Sequence, residues 1–360
     1  MNQGFWKGKK VLVTGHTGFK GSWLSLWLQN LGAQVIGVSL DPPTNPSLYE
    51  QAKVGEGMIS LRQDIRHGES VKRIFQQHEP EIVFHLAAQP LVRYSYRNPI
   101  ETYETNVMGT LYVLEGIRSV DTVRAAVMIT TDKCYDNKEW EWGYRENDTL
   151  GGHDPYSSSK GAAELLIASY RSSYFSQYKN GESITSIASV RAGNVIGGGD
   201  WAKDRLIPDI IQAFQEDKKV IIRNPESTRP WQHVLEPLSG YLALAEQLEK
   251  NGSQYAQAWN FGPNDTDARS VQWIVEKMTK LWGNNVSWAS DRNNQLHEAN
   301  YLKLDCSKAH MRLNWFPRWG LEKTLLRIIE WHKLKAVEGS RKLCIAQINE
   351  YMENISNENC

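Results

Sequence analysis

Three glycines separated by two residues each, Gly15, Gly18 and Gly21, close the stretch Lys-Val-Leu-Val-Thr-Gly-His-Thr-Gly-Phe-Lys-Gly that begins at Lys10. No other feature constrains the fold as much. Lys10 to Val13 reads as a short buried strand, and beyond Gly21 the apolar residues Leu24, Trp27, Leu28 and Leu31 recur at helical spacing. The glycines therefore lie where a strand turns into a helix. Without Cβ atoms the backbone can turn tightly and approach a ligand, while the helix N-terminus offers free N–H groups and positive dipole to a pyrophosphate. With a second strand at Val35 to Leu40, this pattern predicts a dinucleotide-binding turn; a glycine-rich turn that binds nothing is the alternative.

Polar and apolar periods alternate from there to about residue 190. The third strand is predicted to close at Gln63-Asp64-Ile65, where a side chain would meet an adenine, and a helix follows over Glu69 to His78. Ile82 to Ala88 is apolar except for His85, as expected of a parallel strand buried on both faces, and His85 is read as a satisfied core histidine rather than a ligand. Pro99 to Ser119 reads as a long helix carrying Asn106. Ala125 to Thr130 is a strand ending in Thr131-Asp132-Lys133-Cys134-Tyr135, polar residues at the carboxyl end where such sheets bind ligands. Asp154-Pro155 opens a helix that puts Tyr156 and Lys160 on one face, and Ile184 to Val190 is the last long strand. The expected fold is α/β: a Rossmann-like doubly wound parallel sheet over 1–190, with a smaller mixed α/β substrate lobe over 191–360, the two interleaved. The end of the chain after Ser340 reads as a short helix with a frayed polar end.

Composition excludes more than it proposes. The chain has 360 residues, 41% hydrophobic and 23% charged, with zero formal net charge. Such balance leaves no electrostatic footprint for nucleic acid or an anionic membrane. No apolar run approaches a membrane span, and Met1 to Lys10 does not read as a signal peptide, so a cytoplasmic protein is expected. Four scattered cysteines suggest neither a disulfide framework nor a metal site. The fourteen tryptophans are read as core or sugar-facing surface, with no individual function.

With Thr-Gly-x-x-Gly-x-x-Gly at 14–21, Thr131, and Tyr156-x-x-x-Lys160, the chain resembles the extended short-chain dehydrogenase/reductases. Within them, Asp132-Lys133-Cys134-Tyr135-Asp136-Asn137, Gly197-Gly198-Gly199-Asp200-Trp201 and Arg229-Pro230-Trp231-Gln232-His233 are similar to the CDP-glucose 4,6-dehydratases. That resemblance implies redox-neutral conversion of CDP-glucose to CDP-4-dehydro-6-deoxyglucose and water, on a route to the deoxysugars of surface polysaccharide, with NAD as transient hydride acceptor. It implies Tyr156, helped by Lys160 and Thr131, as base toward the 4-hydroxyl, and Asp132 as acid toward the departing 6-hydroxyl. Lys133 is either a base of lowered pKa toward carbon 5 or a charge that steadies the enolate. The implied cofactor contacts are Gly15, Thr17, Gly18, Phe19, Gly21, Asp41, Asp64, Ile65, Ala87, Asn106, Tyr156 and Lys160. The implied substrate contacts are Asn194, Arg205, Leu206, Arg229, His297 and Tyr301, with Arg229 suited to the pyrophosphate. A homodimer is implied through the helices carrying Asn106 and Tyr156.

Several readings stay open in the sequence. Asp41 either reads a ribose or only starts the Asp-Pro-Pro turn, since the acidic position of related enzymes falls on Ser39. His16 and Lys20 are unusual inside a glycine loop. A nucleotide-sugar 4-epimerase, or a catalytically silent nucleotide-sugar-binding protein, would share the loop, Thr131, Tyr156 and Lys160. Epimerisation has no use for an acid that expels a 6-hydroxyl, so Asp132 favours dehydration.

Overall fold

The computed structural model describes residues 3–175, 185–222, 224–283, 287–290 and 302–357. Six strands, β1 (Lys10–Thr14), β2 (Gln34–Ser39), β3 (Ile59–Arg62), β4 (Ile82–His85), β5 (Ala125–Ile129) and β6 (Ser186–Arg191), form a parallel sheet in the order β3-β2-β1-β4-β5-β6. A seventh strand, Ala258–Asn260, adds parallel to β6. The order reverses between β1 and β4, which opens a crevice at their carboxyl ends. Strands β1, β4, β5 and β6 are buried nearly throughout because helices cover both faces.

Several boundaries differ from the sequence reading. Strand β3 ends at Arg62, so Gln63, Asp64 and Ile65 lie beyond it. Strand β4 ends at His85, because the next residues turn across the glycine loop, with Leu86 and Ala87 donating to the carbonyl and hydroxyl of Thr14. The long helix after Pro99 contains a π-helical turn at Glu104–Met108, centred on Asn106. His85 is a satisfied core histidine: Nδ1 meets Thr14 Oγ1 at 2.8 Å, Nε2 meets Thr110 Oγ1 at 3.0 Å, and burial lowers its pKa to about 3.

A cut at residue 190 does not separate the cores. Helix Leu235–Asn251 places Leu235, Leu238, Tyr241, Leu242 and Leu244 in the same cluster as Val11, Val13, Phe84 and Val127. The smaller lobe has its own cluster, with Ile207, Ile210, Ile211 and Phe214 against Ile274, Met278, Leu325 and Ile328.

The end of the chain is a core element. Ser340–Asn357 is one helix, packed on helices Phe19–Asn30 and Leu321–Glu338. Tyr351 stands edge-on to Trp27, Trp27 Nε1 donates to Met352 Sδ at 3.4 Å, and Arg341 donates to the carbonyls of Ala52 and Lys53. This cover explains why Phe19–Asn30 is buried continuously from Gly21 to Leu28, where the sequence shows only a stripe. Most of the large aromatic side chains are core, among them Trp6, Trp23, Trp27, Trp259 and Trp331.

Glu236 lies at the centre of this packing, accepting hydrogen bonds from Trp319 N at 2.7 Å, Arg318 N at 3.1 Å and Tyr351 Oη at 2.6 Å. Burial still pushes its carboxyl from 4.5 up to about 7. A raised folded value makes the contribution to stability full below about pH 4.5 and lost as pH rises through about 7. Wild type should therefore lose melting temperature relative to Glu236→Gln across that window and run parallel to it above. A constant difference between the two melting curves from pH 4.5 to 8 would reject the assignment.

Candidate active site

The glycine loop lies against the switch point. Gly15 has φ +76°, and a Cβ there would stand 2.8 Å from Ala87 N; at Gly21 it would stand 2.1 Å from Gly15 O. Neither position can carry a side chain without moving backbone. Gly18 differs: its nearest neighbour would be Gly15 O at 3.4 Å, ordinary contact, so the protein alone does not demand glycine there. The first-turn amides of Phe19–Asn30 have no intrahelical acceptor, Gly18 provides no side-chain cap, and no acidic residue stands in that turn. An open approach at Gly18 facing an uncapped, positive helix end fits a dinucleotide pyrophosphate.

Residues of the loop and of the end of β2 form the rim of this cradle. Thr17 Oγ1 bonds Ser39 Oγ at 2.7 Å and donates to Leu40 O at 3.0 Å, tying the loop to the end of β2. Asp41 points outward, its side chain 90% exposed and paired with Arg62 Nε at 2.9 Å. The His16 ring fills the space above Gly37, and its Nε2 meets Ser60 Oγ at 2.8 Å. Burial and the Arg62 charge lower His16 to about 4, so it is a neutral packing group at pH 7.

Other expected cofactor residues make contacts within the protein. Asp64 is gripped by Arg66 through Nε, Nη2 and the backbone amide. Ile65 is in the core, where Gly109 makes room for its Cδ1. Asn106 accepts from Gln89 N at 2.8 Å and donates to Gln89 O and Ser159 Oγ, so it holds the segment after β4 against the helix Pro155–Tyr174. The π-helical turn aims Asn106 inward, a common use of such turns.

The reacting end gathers at the carboxyl ends of β5 and β6. Thr131 caps a short 3₁₀ turn, Asp132–Cys134, accepting from Lys133 N and donating to Asp132 Oδ1 at 2.9 Å. Asp132 is buried over Gly193, where a Cβ would lie 1.8 Å from Asp132 Oδ2. Asp154 caps the Pro155–Tyr174 helix, accepting from Ser157 N at 2.9 Å, with Pro155 at its start. That fixes Tyr156 at the crevice, its backbone N donating to Ser95 Oγ at 3.1 Å. Burial pushes the Tyr156 phenol up to about 12, while contact with Thr131 and the charge of Arg205 pull the other way. Burial lowers Lys160 to about 8, and its Nζ donates to Ile129 O at 3.4 Å. Lys20 enters the same field: burial and the charges of Arg205 and Lys160 lower it to about 8.

Lys133, the residue after Asp132, is exposed. Arg205 is half-buried and bonds Asp200 Oδ2 at 3.0 Å; Leu206 begins the helix Leu206–Gln215 beside it. Asn194 takes a left-handed backbone, φ +48°, just after Gly193. Arg229 lies on the two-stranded ribbon of Thr228–Pro230 with Ala268–Ser270, Nη1 donating to Thr228 O. His297 and Tyr301 lie outside the described residues.

Sequence reasoning missed the floor of the site. Glu164, one turn beyond Lys160, accepts from Thr130 Oγ1 at 2.5 Å, Ser189 Oγ at 2.7 Å and Arg191 Nη2 at 2.9 Å. Arg191 Nη1 continues to Tyr135 Oη at 2.7 Å, which donates to Asn260 Oδ1 at 2.8 Å. The spacing of Tyr156, Lys160 and Glu164 on one helix face was the available signal.

Comparison with known proteins places this arrangement. The profile of the family described as GDP-mannose 4,6 dehydratase matches residues 12–328. The chain belongs to that family. Its relatives include the CDP-glucose 4,6-dehydratase of Salmonella typhimurium, 56% identical over 353 residues and covering 98% of each chain. The dTDP-glucose 4,6-dehydratase of Haemophilus influenzae is 25% identical over 89% of this chain and 97% of its own. Among solved structures, MoeE5 in complex with UDP-glucose and NAD superposes with a TM-score of 0.76 at 25% identity, covering 91% of this chain and 99% of that one. The dTDP-glucose 4,6-dehydratase of Bacillus anthracis, in complex with NAD, shares the fold at a TM-score of 0.74 and 20% identity, over 91% and 97% of the two chains. The family match ends before the helix Ser340–Asn357 begins.

Proposed function

We infer that the chain is an NAD-dependent nucleotide-sugar 4,6-dehydratase, a hydro-lyase that converts CDP-D-glucose to CDP-4-dehydro-6-deoxy-D-glucose and water. The observation that carries this is Asp132, buried beside Thr131 and acting on Tyr156, in a chain 56% identical to a CDP-glucose 4,6-dehydratase. A 4-epimerase needs Tyr156 and Thr131 but no acid at that position. When bound, NAD supplies a reversible hydride acceptor, so the sugar ends with no net change in oxidation state.

The chain's own groups divide the proton work. Tyr156, ionised, takes the proton of the 4-hydroxyl, with Thr131 holding the same oxygen. The resulting ketone acidifies the proton on carbon 5; a base takes that proton as the carbon 6–oxygen bond breaks, and Asp132, once protonated, gives its proton to the leaving hydroxyl, which departs as water. Lys133, exposed and one residue away, is the candidate for that base or for a charge that steadies the enolate. Asn194, Arg205, Leu206 and Arg229 are the candidates to hold the nucleotide sugar, Arg229 through its pyrophosphate. Product should form from CDP-glucose with catalytic NAD and without matching accumulation of reduced nicotinamide. If nicotinamide absorbance rises in proportion to product, the chain is an ordinary dehydrogenase.

A homodimer goes with this reading. Ile100 at 74% and Leu165 at 63% exposure stand with Tyr103 and Met108 on the outer faces of the segments carrying Asn106 and Tyr156. Pairing those faces between two copies would bury them. Light scattering at micromolar concentration should give twice the 41.1 kDa chain mass, and Ile100→Glu with Leu165→Glu should reduce it to one; a wild-type value of one chain mass rejects the dimer. Three buried free thiols, Cys134, Cys306 and Cys344, accord with the cytoplasm, and no helix among the described residues could cross a membrane.

A further inference from the structure

Tyr156 must ionise to act as the base, yet burial works against it. The charged groups around it come from four elements. After β5 stand Thr131, whose contact favours the phenolate, and Asp132, whose carboxylate opposes it; Lys133 is exposed. On Tyr156's own helix, the capping Asp154 opposes ionisation and Lys160 lies one turn on, its Nζ donating to Ile129 O and under the charge of Glu164. From the glycine loop comes Lys20, under the charges of Arg205, Lys160 and Asp132. Arg205 arrives from the smaller lobe, and its guanidinium and the Tyr156 phenol act on each other.

The placement of Arg205 is built rather than incidental. It immediately precedes the helix Leu206–Gln215, and its Nη1 donates at 3.0 Å to Asp200, a carboxylate residue only 5% exposed that also accepts from Ala202 N. The strap from Gly197 to Arg205 is tied to the nucleotide-binding unit at three points. Trp23 Nε1 donates to Gly198 O at 3.0 Å, Trp201 Nε1 to Gln51 Oε1 at 3.1 Å, and Arg93 pairs with Asp204 at 3.6 Å. Gly198 has no side chain because Trp331 occupies that space. Arg93 stands two residues from Ser95, whose Oγ accepts from Tyr156 N, so the strap carrying Arg205 and the start of the Tyr156 helix meet on the same short helix, Val92–Arg97, by contacts that need no substrate.

We propose that Arg205, oriented by Asp200, is a positioning residue for the phenolate of Tyr156, so that proton removal from the 4-hydroxyl depends on a cation delivered by the smaller lobe. The proton passes from the sugar hydroxyl to the phenolate oxygen, and Arg205 exchanges no proton. This rests on Tyr156 being the base. Lys160 complements Arg205: at about 8 it loses its proton before a buried phenol does, whereas a guanidinium stays charged throughout.

The test is a pH titration of the holoenzyme, following phenolate ultraviolet absorbance against the matching Tyr156→Phe protein, together with the rising limb of kcat/KM. Arg205→Met should move both upward by about one pH unit or more, and Arg205→Lys, which keeps the charge, by less than half as much. Arg205→Met that raises KM alone and leaves phenolate titration and limb in place would overturn the proposal and make Arg205 a substrate ligand only. Equal shifts in Arg205→Met and Arg205→Lys would also overturn it, since charge would then not be the cause. The base assignment fails separately: Tyr156→Phe would turn over normally whatever Arg205 does.

Discussion

Tyr156→Phe is expected to slow the first oxidation of the sugar by at least about 10²-fold, the usual loss when a positioned acid–base group is removed. The fold should be unchanged. The substitution deletes one hydroxyl, while the residue's backbone is held through Ser95 and its helix starts from the Asp154 cap. Binding of the nucleotide sugar should change little. Rapid mixing of enzyme, NAD and CDP-glucose, watching reduced nicotinamide form, isolates this step. A rate within a few-fold of wild type would remove Tyr156 from the mechanism.

Glu164→Leu should cost about 3–5 kcal/mol of stability, because it leaves the buried Arg191 guanidinium without its carboxylate. The two side chains are 2% and 3% exposed and 2.9 Å apart. Burial opposes ionisation of Glu164, but Arg191, Thr130 and Ser189 hold it below the usual carboxylate range. The hydroxyls of Thr130 and Ser189 lose their acceptor in the variant as well. Glu164→Leu combined with Arg191→Met should recover part of the loss, as buried pairs replaced by apolar groups often do. Urea unfolding decides it, and a loss under about 1 kcal/mol in the single variant would show that water or rearrangement compensates the charge. Activity should fall too, since Glu164 is the leading influence keeping a buried Lys160 protonated.

What could be read before the fold was known follows from the range of the interactions involved. The glycine turn, its flanking strand and helix, and the Tyr156–Lys160 face are local, set by neighbours within a few residues, and they stand where the spacing put them. The seventh strand could not be read, because Ala258–Asn260 is short and its pairing with β6 depends on the chain returning from the other lobe. The helix Ser340–Asn357 looked frayed because its polar residues meet partners distant in sequence: Asn349 bonds Asn30, and Glu350 pairs with Arg327 and Lys323. Within the site, residue type indicated Asn106 and Asp64, but only the contacts to Gln89, Ser159 and Arg66 show what their polar atoms do. The exposure of Lys133 was not legible either, because it follows from the tight turn after Thr131 that buries Asp132 and Cys134 on either side of it.

The helix Ser340–Asn357 lies over Trp27, a residue of the first helix of the nucleotide-binding unit. On a ribosome these two parts are separated by about 310 residues of synthesis, on the order of tens of seconds at ordinary elongation rates. Throughout that interval the nascent chain carries a tryptophan-bearing helix face with nothing to cover it, although the glycine loop and first strands have already emerged. Such a face is a natural handle for a chaperone and a starting point for aggregation when none is present. Completion of this core therefore waits for a segment made about 310 residues after the helix it covers.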